Sequence, residues 1–372
     1  MAEKTKNGRI GRILEVMERH QVDLLLLMPS AGMKYALGDS PVVDERLFVL
    51  ALAPGKKPFL LANSLYRLEA AELFEGEQVF WQDGEDPYPV LRRKLEMLGY
   101  EWNRVAVERS TQAQFLLPLQ KLLPGAGFIP ASEILDQLRV HKDEEERDRL
   151  RNACRLGDEA LRRVMEQGGR WIGKTEAEFF ARLSYEMTCL GLDMPDACVC
   201  AGANAADPHY TSRQGVIREN SCLLVDFGGT WKHYYTDMTR TFWFGRPEAE
   251  FEKIYHIVRR ASEAGEAAAV LGRPMEEIDR AARKVICDAG YGPYFIHRTG
   301  HGVGIDVHEC PNAAEGEKAV LEPGMAFSVE PGIYLPGRFG VRIEDLILMT
   351  ETGAEVLHSY PKELTCFRRE DA

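Results

Sequence analysis

Apolar residues recur at helical spacing in some stretches of this chain and in short, nearly unbroken runs in others. A helical stripe over Ile10–His20 leads into the apolar run from Asp23 to Met28. Leu47–Leu52 and Pro58–Ala62 read as a strand pair turned at Pro54-Gly55. Helical patterns near Leu65–Phe74 and Pro89–Leu98 follow, then a short strand at Arg104–Val107. Residues 1–138 therefore predict an α/β domain. It carries no nucleotide fingerprint, because no GxGxxG follows a strand and no Walker pattern is present.

From 139 to 372 the pattern predicts a second domain built twice to one plan. Val140–Lys142 leads into a long helix opened by the acidic run DEEE at Asp143, at the positive end of the helix dipole. That run reads as a solvated helix start. Leu150, Ala153, Cys154, Gly157, Ala160, Leu161, Val164 and Met165 form one buried stripe along the helix. Thr175 with Glu178 predicts a capping box opening a second helix toward Leu190. A hairpin follows, Cys222–Phe227 and Tyr234–Phe244, with its expected hinge at Gly228-Gly229. Helices near Glu248–Leu271 and Met275–Ala289 then precede a second hairpin, Ala326–Tyr334 and Gly340–Met349, with its hinge at Pro336-Gly337. Two such helix–hairpin units facing each other place a site between their sheets.

Composition narrows the function classes. Over 372 residues the chain is 45% hydrophobic and 28% charged, as expected of a globular protein with a substantial core. A net charge of −12 argues against nucleic acid or an anionic membrane as partner. The N-terminal stretch MAEKTKNGRIGRILEVMERHQ lacks the apolar region of a secretory signal, and the longest apolar run, Leu24 to Met28, is too short to span a bilayer. The 8 cysteines are scattered, with no CxxC and no Cys/His ladder, which predicts reduced thiols in a cytoplasmic protein.

Four acids interrupt runs that otherwise read as buried strand: Asp226 in VDFGG, Asp237 in TDMTRT, Glu330 in FSVEPGIY and Glu344 in VRIEDLIL. Burying a carboxylate without a partner costs at least several kcal/mol. Arg240 and Arg342 can satisfy one acid each, but not four. His301, in GHGVG, has glycines on both sides that leave space around its imidazole. Folding each hairpin back brings its two carboxylates to one face, because strand side chains alternate. Four carboxylates and one imidazole form the ligand set of a two-metal hydrolytic centre, their charge of about −4 matching two divalent cations. Oxygen-rich ligation favours manganese, cobalt or iron.

The motifs DFGG, TDMTRT, TGHGVG-x-x-VHE, EPGIY and GVRIED, in that order, resemble the pita-bread metallopeptidases, the family of methionine aminopeptidase, aminopeptidase P and prolidase. The similarity runs from about Val140 to the end of the chain. The preceding region resembles the creatinase/prolidase-type N-terminal domain, with MKYALGD as a looser form of its tyrosine-rich motif. The resemblance implies an α/β (α+β) fold, a creatinase-like N-terminal domain followed by a pita-bread domain with a pseudo-twofold repeat. It also implies two divalent metal ions per chain, manganese first, with cobalt, zinc or iron as alternatives. In that scheme Asp226 chelates one metal, Asp237 and Glu344 bridge both, and His301 and Glu330 complete the second. His209 in DPHYTS and His308 in VHE match the family's catalytic pair, and Glu330 is the expected proton acceptor. Arg342 is expected to orient Asp237 or His209, with a simple strand-face salt bridge as its other reading. His297 is expected to support the site from behind.

The activity so implied is hydrolysis of X-Pro peptide bonds by a hydroxide held between two metals, acting on a small peptide with proline at its second position, in a homodimer. A dipeptidase is preferred. The alternatives are an X-Pro aminopeptidase on longer peptides, a metal-dependent non-peptide hydrolase or lyase, and a non-catalytic binding module. One departure bears on this choice. Some prolidase relatives place an arginine after HE-x-P, where it clamps a dipeptide's carboxylate. Here the stretch reads HECPNAAEGEK, with Asn312 at that place, Lys318 as the nearest cation and Arg298 as another.

Overall fold

A computed structural model describes residues 2–42, 45–99 and 101–369. The chain divides into two compact units, Met1–Arg139 and Val140–Ala372.

In the first unit six strands form one mixed sheet: β1 (Leu24–Leu27), β2 (Val49–Leu52), β3 (Phe59–Asn63), β4 (Glu77–Trp81), β5 (Arg104–Val107) and β6 (Gly127–Pro130), in the order β4-β3-β2-β1-β5-β6. β1 is central, antiparallel to β2 and parallel to β5, and all four of its leucines are fully buried. A strand covered on both faces reads as an unbroken apolar run, which is why the sequence shows no alternation there. β2 and β3 turn through Gly55 at φ 70, as expected. The half-polar strand β4 was not anticipated; it lies at the sheet edge and pairs only with β3. The helices Ala113–Leu122 and Ser132–Arg139 were likewise not anticipated.

The second unit contains the helix Glu144–Met165, capped by a reciprocal Asp143–Glu146 box, and the helix Glu176–Cys189, capped by the Thr175–Glu178 box that the sequence predicts. The helices Ala249–Ala268 and Glu276–Asp288 form the second pair. Its strands are β7 (Asp193–Ala201), β8 (Ser221–Trp231), β9 (Tyr234–Phe244), β10 (Gly300–Gly302), β11 (Glu309–Ala313), β12 (Ala326–Val329), β13 (Gly332–Leu335), β14 (Phe339–Arg342), β15 (Asp345–Thr350), β16 (Gly353–Val356) and β17 (Cys366–Phe367). They form a sheet β17-β9-β8-β7, a sheet β11-β10-β12-β15-β16 and a two-stranded ribbon β13-β14. Alternation on β8 serves two cores. Leu223, Val225 and Phe227 pack with the first helix pair, while Cys222 and Leu224 pack with the second pair and with Ile333, Val341 and Ile343. Asp226 therefore shares the face of Leu224, toward the second half of the unit.

Both expected hairpins need correction. The first does not hinge at Gly228-Gly229. Those glycines lie inside β8, and the chain turns four residues later at Lys232-His233, both with positive φ (49 and 71), the arrangement of a two-residue turn matched to strand twist. The second is not one hairpin. Its arms break at Glu330-Pro331 and at Ile343-Glu344: β12 pairs with β15, while β13 and β14 form a ribbon of their own. Pro331 has no N–H to continue a ladder, and Glu330 N donates instead to Thr299 O at 2.7 Å. The expected turn at Pro336-Gly337 survives as the closed end of that ribbon, with Gly337 at φ 71.

Arg240 fastens β9 to the break at Glu344. It is 1% exposed, and its guanidinium donates to Thr239 O, Glu344 O, Asp345 Oδ1, Tyr360 O and Pro361 O at 2.6–3.1 Å. Lys362 reaches the other oxygen of Asp345 at 2.5 Å. Replacing Arg240 by Ala removes the donor to Asp345 Oδ1 and to four main-chain carbonyls, so the expected loss is about 3–5 kcal/mol. Denaturant unfolding of the variant measures it; a loss below about 1 kcal/mol contradicts this account of the seam.

Candidate metal centre

The first two acids lie side by side because of register. Asp226 pairs with Thr239 and Gly228 pairs with Asp237, so Asp226 and Asp237 sit diagonally on one face of β8 and β9. Gly228 makes the approach possible: a Cβ there would stand 2.7 Å from Thr236 O. Glu330 and Glu344 occupy the two strand breaks. Glu344 is fixed to the first sheet, its N donating to Thr239 O at 3.1 Å and its Oε2 accepting from Thr239 Oγ1 at 2.7 Å. His301 lies on β10, where the ladder with β11 shifts register between His301 and Gly302. Gly300 before it touches β12 so closely that a Cβ would fall 1.9 Å from Ser328 O.

One ligand atom each from Asp237, His301 and Glu344 lie within 4.8 Å of one another. His301 Nε2 is 3.3 Å from Glu330 Oε1 and 3.7 Å from Asp237 Oδ2. Asp226 stands on the other side of the group, its Oδ2 accepting from Arg342 Nη2 at 2.6 Å. All five line one cleft of about 800 Å³, together with His209, His297, Arg298, His308 and Arg342.

The electrostatics of the group are those of a site short of positive charge. Burial raises the pKa of Asp237 well above the carboxylate range, and Glu344, Asp226 and Glu330 raise it further. Glu344 moves the same way for the same reasons. Glu330 is pushed up to about 7 by burial, against the opposing pull of Arg342. Burial lowers His301 to about 3, so its ring is neutral. Its Nδ1 faces Gly302 O at 3.1 Å, and a carbonyl can only accept, so Nδ1 carries the proton. The lone pair of Nε2 therefore points at two carboxylates. Acceptors converging on acceptors must take up either protons or a cation, and a neutral imidazole with carboxylate oxygens is a donor set that divalent transition ions accept. The residues fit a metal.

Arg342 answers one acid and braces a second. Besides Asp226 it donates from Nε to Thr239 Oγ1 (3.1 Å), the hydroxyl that holds Glu344, and from Nη1 to Tyr334 OH (2.7 Å). These partners differ from the expected Asp237 and His209. Arg240, the other arginine considered, pairs with Asp345 and not with a ligand. His297 Nε2 meets Tyr334 OH at 2.8 Å, behind Arg342.

His209 and His308 are both exposed on the cleft wall. The His308 ring lies edge-on to His301, centroids 4.3 Å apart, and burial with the nearby Arg298 charge lowers its pKa. Each is carried by a loop held from below. Glu176, fully buried, accepts from Ala201 N (2.6 Å), Asn204 Nδ2 (2.8 Å) and Gly215 N (2.7 Å), gripping both ends of the segment that bears His209. Glu309 accepts from Lys142 Nζ (3.0 Å) and Asp306 N (3.1 Å), bracing the turn that bears His308. Neither acid was singled out from the sequence. Thr239 and Tyr334 were also missed, although each lies inside a quoted motif. His358, assigned no role from the sequence, is buried between Asp158 Oδ1 (2.8 Å) and Asp237 O (3.0 Å). Burial opposes its charge, yet the Asp158 hydrogen bond and charge help to raise its pKa well above the usual value, placing a cation behind Asp237. Nothing local in the sequence signals that.

Of the cations weighed around Asn312, Lys318 is paired with Glu276 at 2.5 Å, whereas Arg298 lines the cleft. Asn312 itself is on β11, paired with His301. All eight cysteines are free, and no helix among the described residues is long and apolar enough to cross a membrane.

Comparison with known proteins gives this geometry a setting. Residues 148–351 match the model of metallopeptidase family M24, and residues 9–141 match that of the creatinase/prolidase N-terminal domain. A protein named probable dipeptidase PepE in Mycobacterium tuberculosis is 38% identical over 91% of this chain and 91% of its own. The Xaa-Pro dipeptidase of Lactobacillus delbrueckii subsp. lactis is 34% identical over 95% of this chain and 98% of its own. The crystal structure of a recombinant prolidase from Thermococcus sibiricus superposes with a TM-score of 0.93 at 34% identity, covering 96% of this chain and 98% of that one. The two units thus have the fold of a creatinase/prolidase N-terminal domain and a pita-bread catalytic domain.

The carboxylate cluster makes the metal-free protein sensitive to base. Glu330, with its pKa raised to about 7, holds a proton in the folded state that the unfolded chain has already released, and Asp237 and Glu344 shift in the same direction. Stability present below the ordinary carboxylate range is lost between that range and the folded value, roughly 3 kcal/mol for Glu330 alone by about pH 7, and the loss continues at higher pH through Asp237 and Glu344. The lowered values of His297 and His301 oppose this only below about pH 6.5. Thermal unfolding of chelator-stripped protein is expected to give a lower Tm at about pH 9 than at about pH 7, and saturating divalent metal should abolish the difference. An equal or higher Tm at the upper pH without metal contradicts this account of the cluster.

Proposed function

Because the chain belongs to metallopeptidase family M24, we propose that it is an X-Pro dipeptidase, a metal-dependent exopeptidase that cleaves the bond before proline in a two-residue substrate. The observation that supports this reading is the convergence of Asp226, Asp237, His301, Glu330 and Glu344, the second, third and fifth of them buried, in an open cleft with two exposed histidines. Those five residues would hold two divalent cations, which when bound would supply Lewis acidity and a water acidic enough to react near neutral pH. Manganese is the preferred ion, because oxygen donors dominate; cobalt, zinc and iron suit the same donors.

The chain's own residues supply the rest. Glu330, whose carboxyl is pushed up to about 7 by burial, takes the proton of the attacking water at its carboxylate and passes it to the leaving nitrogen. His308 is neutral at working pH and turns an N–H toward the scissile carbonyl oxygen as charge develops there. His209, on the Glu176-braced loop, contacts the substrate near the leaving group. Arg342 keeps Asp226 and, through Thr239, Glu344 at fixed positions. Proline suits the cleft because its nitrogen has no N–H that needs an acceptor in the substrate. The reading includes a homodimer, checked by sedimentation, and a reducing cytoplasm, which suits eight unpaired thiols.

A panel of X-Pro dipeptides and X-Pro tripeptides, assayed with manganese and with cobalt, tests the function. Activity on dipeptides is expected. Hydrolysis of tripeptides alone would select the aminopeptidase alternative, and no hydrolysis of either with metal loaded would leave the X-Pro reading without support. Glu344→Ala removes a ligand assigned to both metals, so residual activity above about 1% of wild type contradicts the shared site. His308→Ala should reduce kcat by about 10²–10³-fold with metal content unchanged.

A further inference from the structure

The turn that carries His308 is built over a buried ion pair. The ladder of β10 and β11 pairs Gly302 with Glu309, and the chain between them, 303–308, belongs to no strand. Glu309 turns its carboxylate back onto that turn. Its Oε1 accepts from Asp306 N at 3.1 Å and its Oε2 from Lys142 Nζ at 3.0 Å. The fit is close, since a Cβ on Gly304 would stand 2.7 Å from either oxygen. Gly304 is held in turn, its N donating to Asp306 O at 3.0 Å and its O accepting from Tyr235 N at 2.9 Å. Lys142 and Glu309 expose 2% and 5% of their side-chain surface, so solvent screens the pair little.

Lys142 is itself fixed by its main chain, near the start of the second unit. Its N donates to Gly324 O at 2.9 Å, and its O accepts from Arg147 Nε at 3.0 Å. Gly324 has φ 90, and a Cβ there would stand 3.0 Å from Lys142 O. Arg147 is anchored by Glu351 at 2.9 Å. The ammonium therefore reaches the His308 turn from a segment pinned on both sides. Stability alone does not call for this pair, because apolar side chains of similar size would fill the space without dehydrating two charges. What a charge-assisted bond adds is direction. It holds one carboxylate oxygen in place so that the other can hold Asp306 N. Glu309 directly follows His308 in the chain and is buried where His308 lines the cleft.

We propose that Lys142 is a positioning residue for His308, acting through Glu309 to keep the imidazole where the scissile carbonyl oxygen requires it. The inference rests on the role that the X-Pro reading gives His308. Lys142 is not among the residues that line the cleft, so its effect on the reaction passes through the turn.

A double-mutant cycle of Lys142→Met with His308→Ala, assayed on Ala-Pro with manganese, separates positioning from general damage. Lys142→Met should lower kcat on the order of 10- to 30-fold with KM within about 3-fold, because a displacement of about 1 Å at a reacting group is costly. In the His308→Ala background the same substitution should change kcat by less than about 2-fold, since the group it positions is already gone. Two readouts need no turnover. Manganese affinity by calorimetry should stay within about 3-fold of wild type, and hydrogen exchange over 303–309 should rise about 10-fold or more. If Lys142→Met does not fold, Lys142→Met/Glu309→Gln, which buries no unpaired charge, takes its place in the cycle with the same expectations. Equal losses in the two backgrounds would overturn the proposal, as would an unchanged kcat, unchanged exchange over 303–309, or a loss that tracks manganese affinity. Those outcomes leave the peptidase reading intact. A wild type that cleaves no X-Pro substrate removes that reading, and the proposal with it.

Discussion

Four carboxylates that repel one another are held together by the hydrogen bonds that join β9 to the break at Ile343-Glu344. Over five residues, Thr239 O accepts from Glu344 N, Thr239 Oγ1 donates to Glu344 Oε2, Arg240 caps Glu344 O, and Thr241 Oγ1 bonds both the N–H and the carbonyl of Arg342. This seam is not a sheet ladder, since side-chain hydroxyls do half of the pairing. It lets two sheets meet edge-on while each delivers acids to the same space. A continuous ladder would have carried Glu344 past the site with its neighbours, because strand side chains can only alternate. Breaking both arms of the second half, at Glu330 and at Glu344, frees those residues from alternation and lets them point where the first sheet presents Asp226 and Asp237.

The positive charges around the ligands are arranged in depth. Arg342 stands at the Asp226 end, His358 behind Asp237, and Arg240 behind Glu344 without touching any ligand carboxylate. None lies between the acids. The lone pair of His301 Nε2 and the oxygens of Asp237, Glu330 and Glu344 are left facing one another across a space that protein cations do not enter. A fold that merely needed its acids neutralised would do better with an arginine among them, or with apolar residues in their place. Retaining the repulsion makes sense only where an ion from solution completes the structure. Metal affinity and fold stability are then one quantity, seen from two sides.

Much of this was legible in the sequence, and the failures share a cause. The β2–β3 pair, the four long helices of the second unit and the strands of the first hairpin follow from period and capping, which are local. Gly228-Gly229 misled because adjacent glycines signal a turn; here Gly228 is needed for the close approach of β9, and the turn fell on Lys232-His233, whose side chains carry no such signal. The second hairpin misled because FSVEPGIYL is apolar enough to read as one strand, and the proline that breaks it shares a motif with the ligand beside it. The acids were found through their apolar surroundings and the order of their motifs. Their supports were not, because those contacts bridge distant segments: Asp158 and His358 are separated by 200 positions, and Lys142 and Glu309 by 167.

The cations around the site differ in how they are held. Of the nearby cations, Lys318 is neutralised by Glu276 and Arg342 by Asp226, which leaves Arg298 as the cleft arginine outside any ion pair among the described residues. Its main chain is tied to Glu330 through Thr299 and to Arg342 through His297 and Tyr334. The distance between the proton-transferring carboxylate and the main chain that carries the free guanidinium is therefore set by short hydrogen bonds rather than by loop packing.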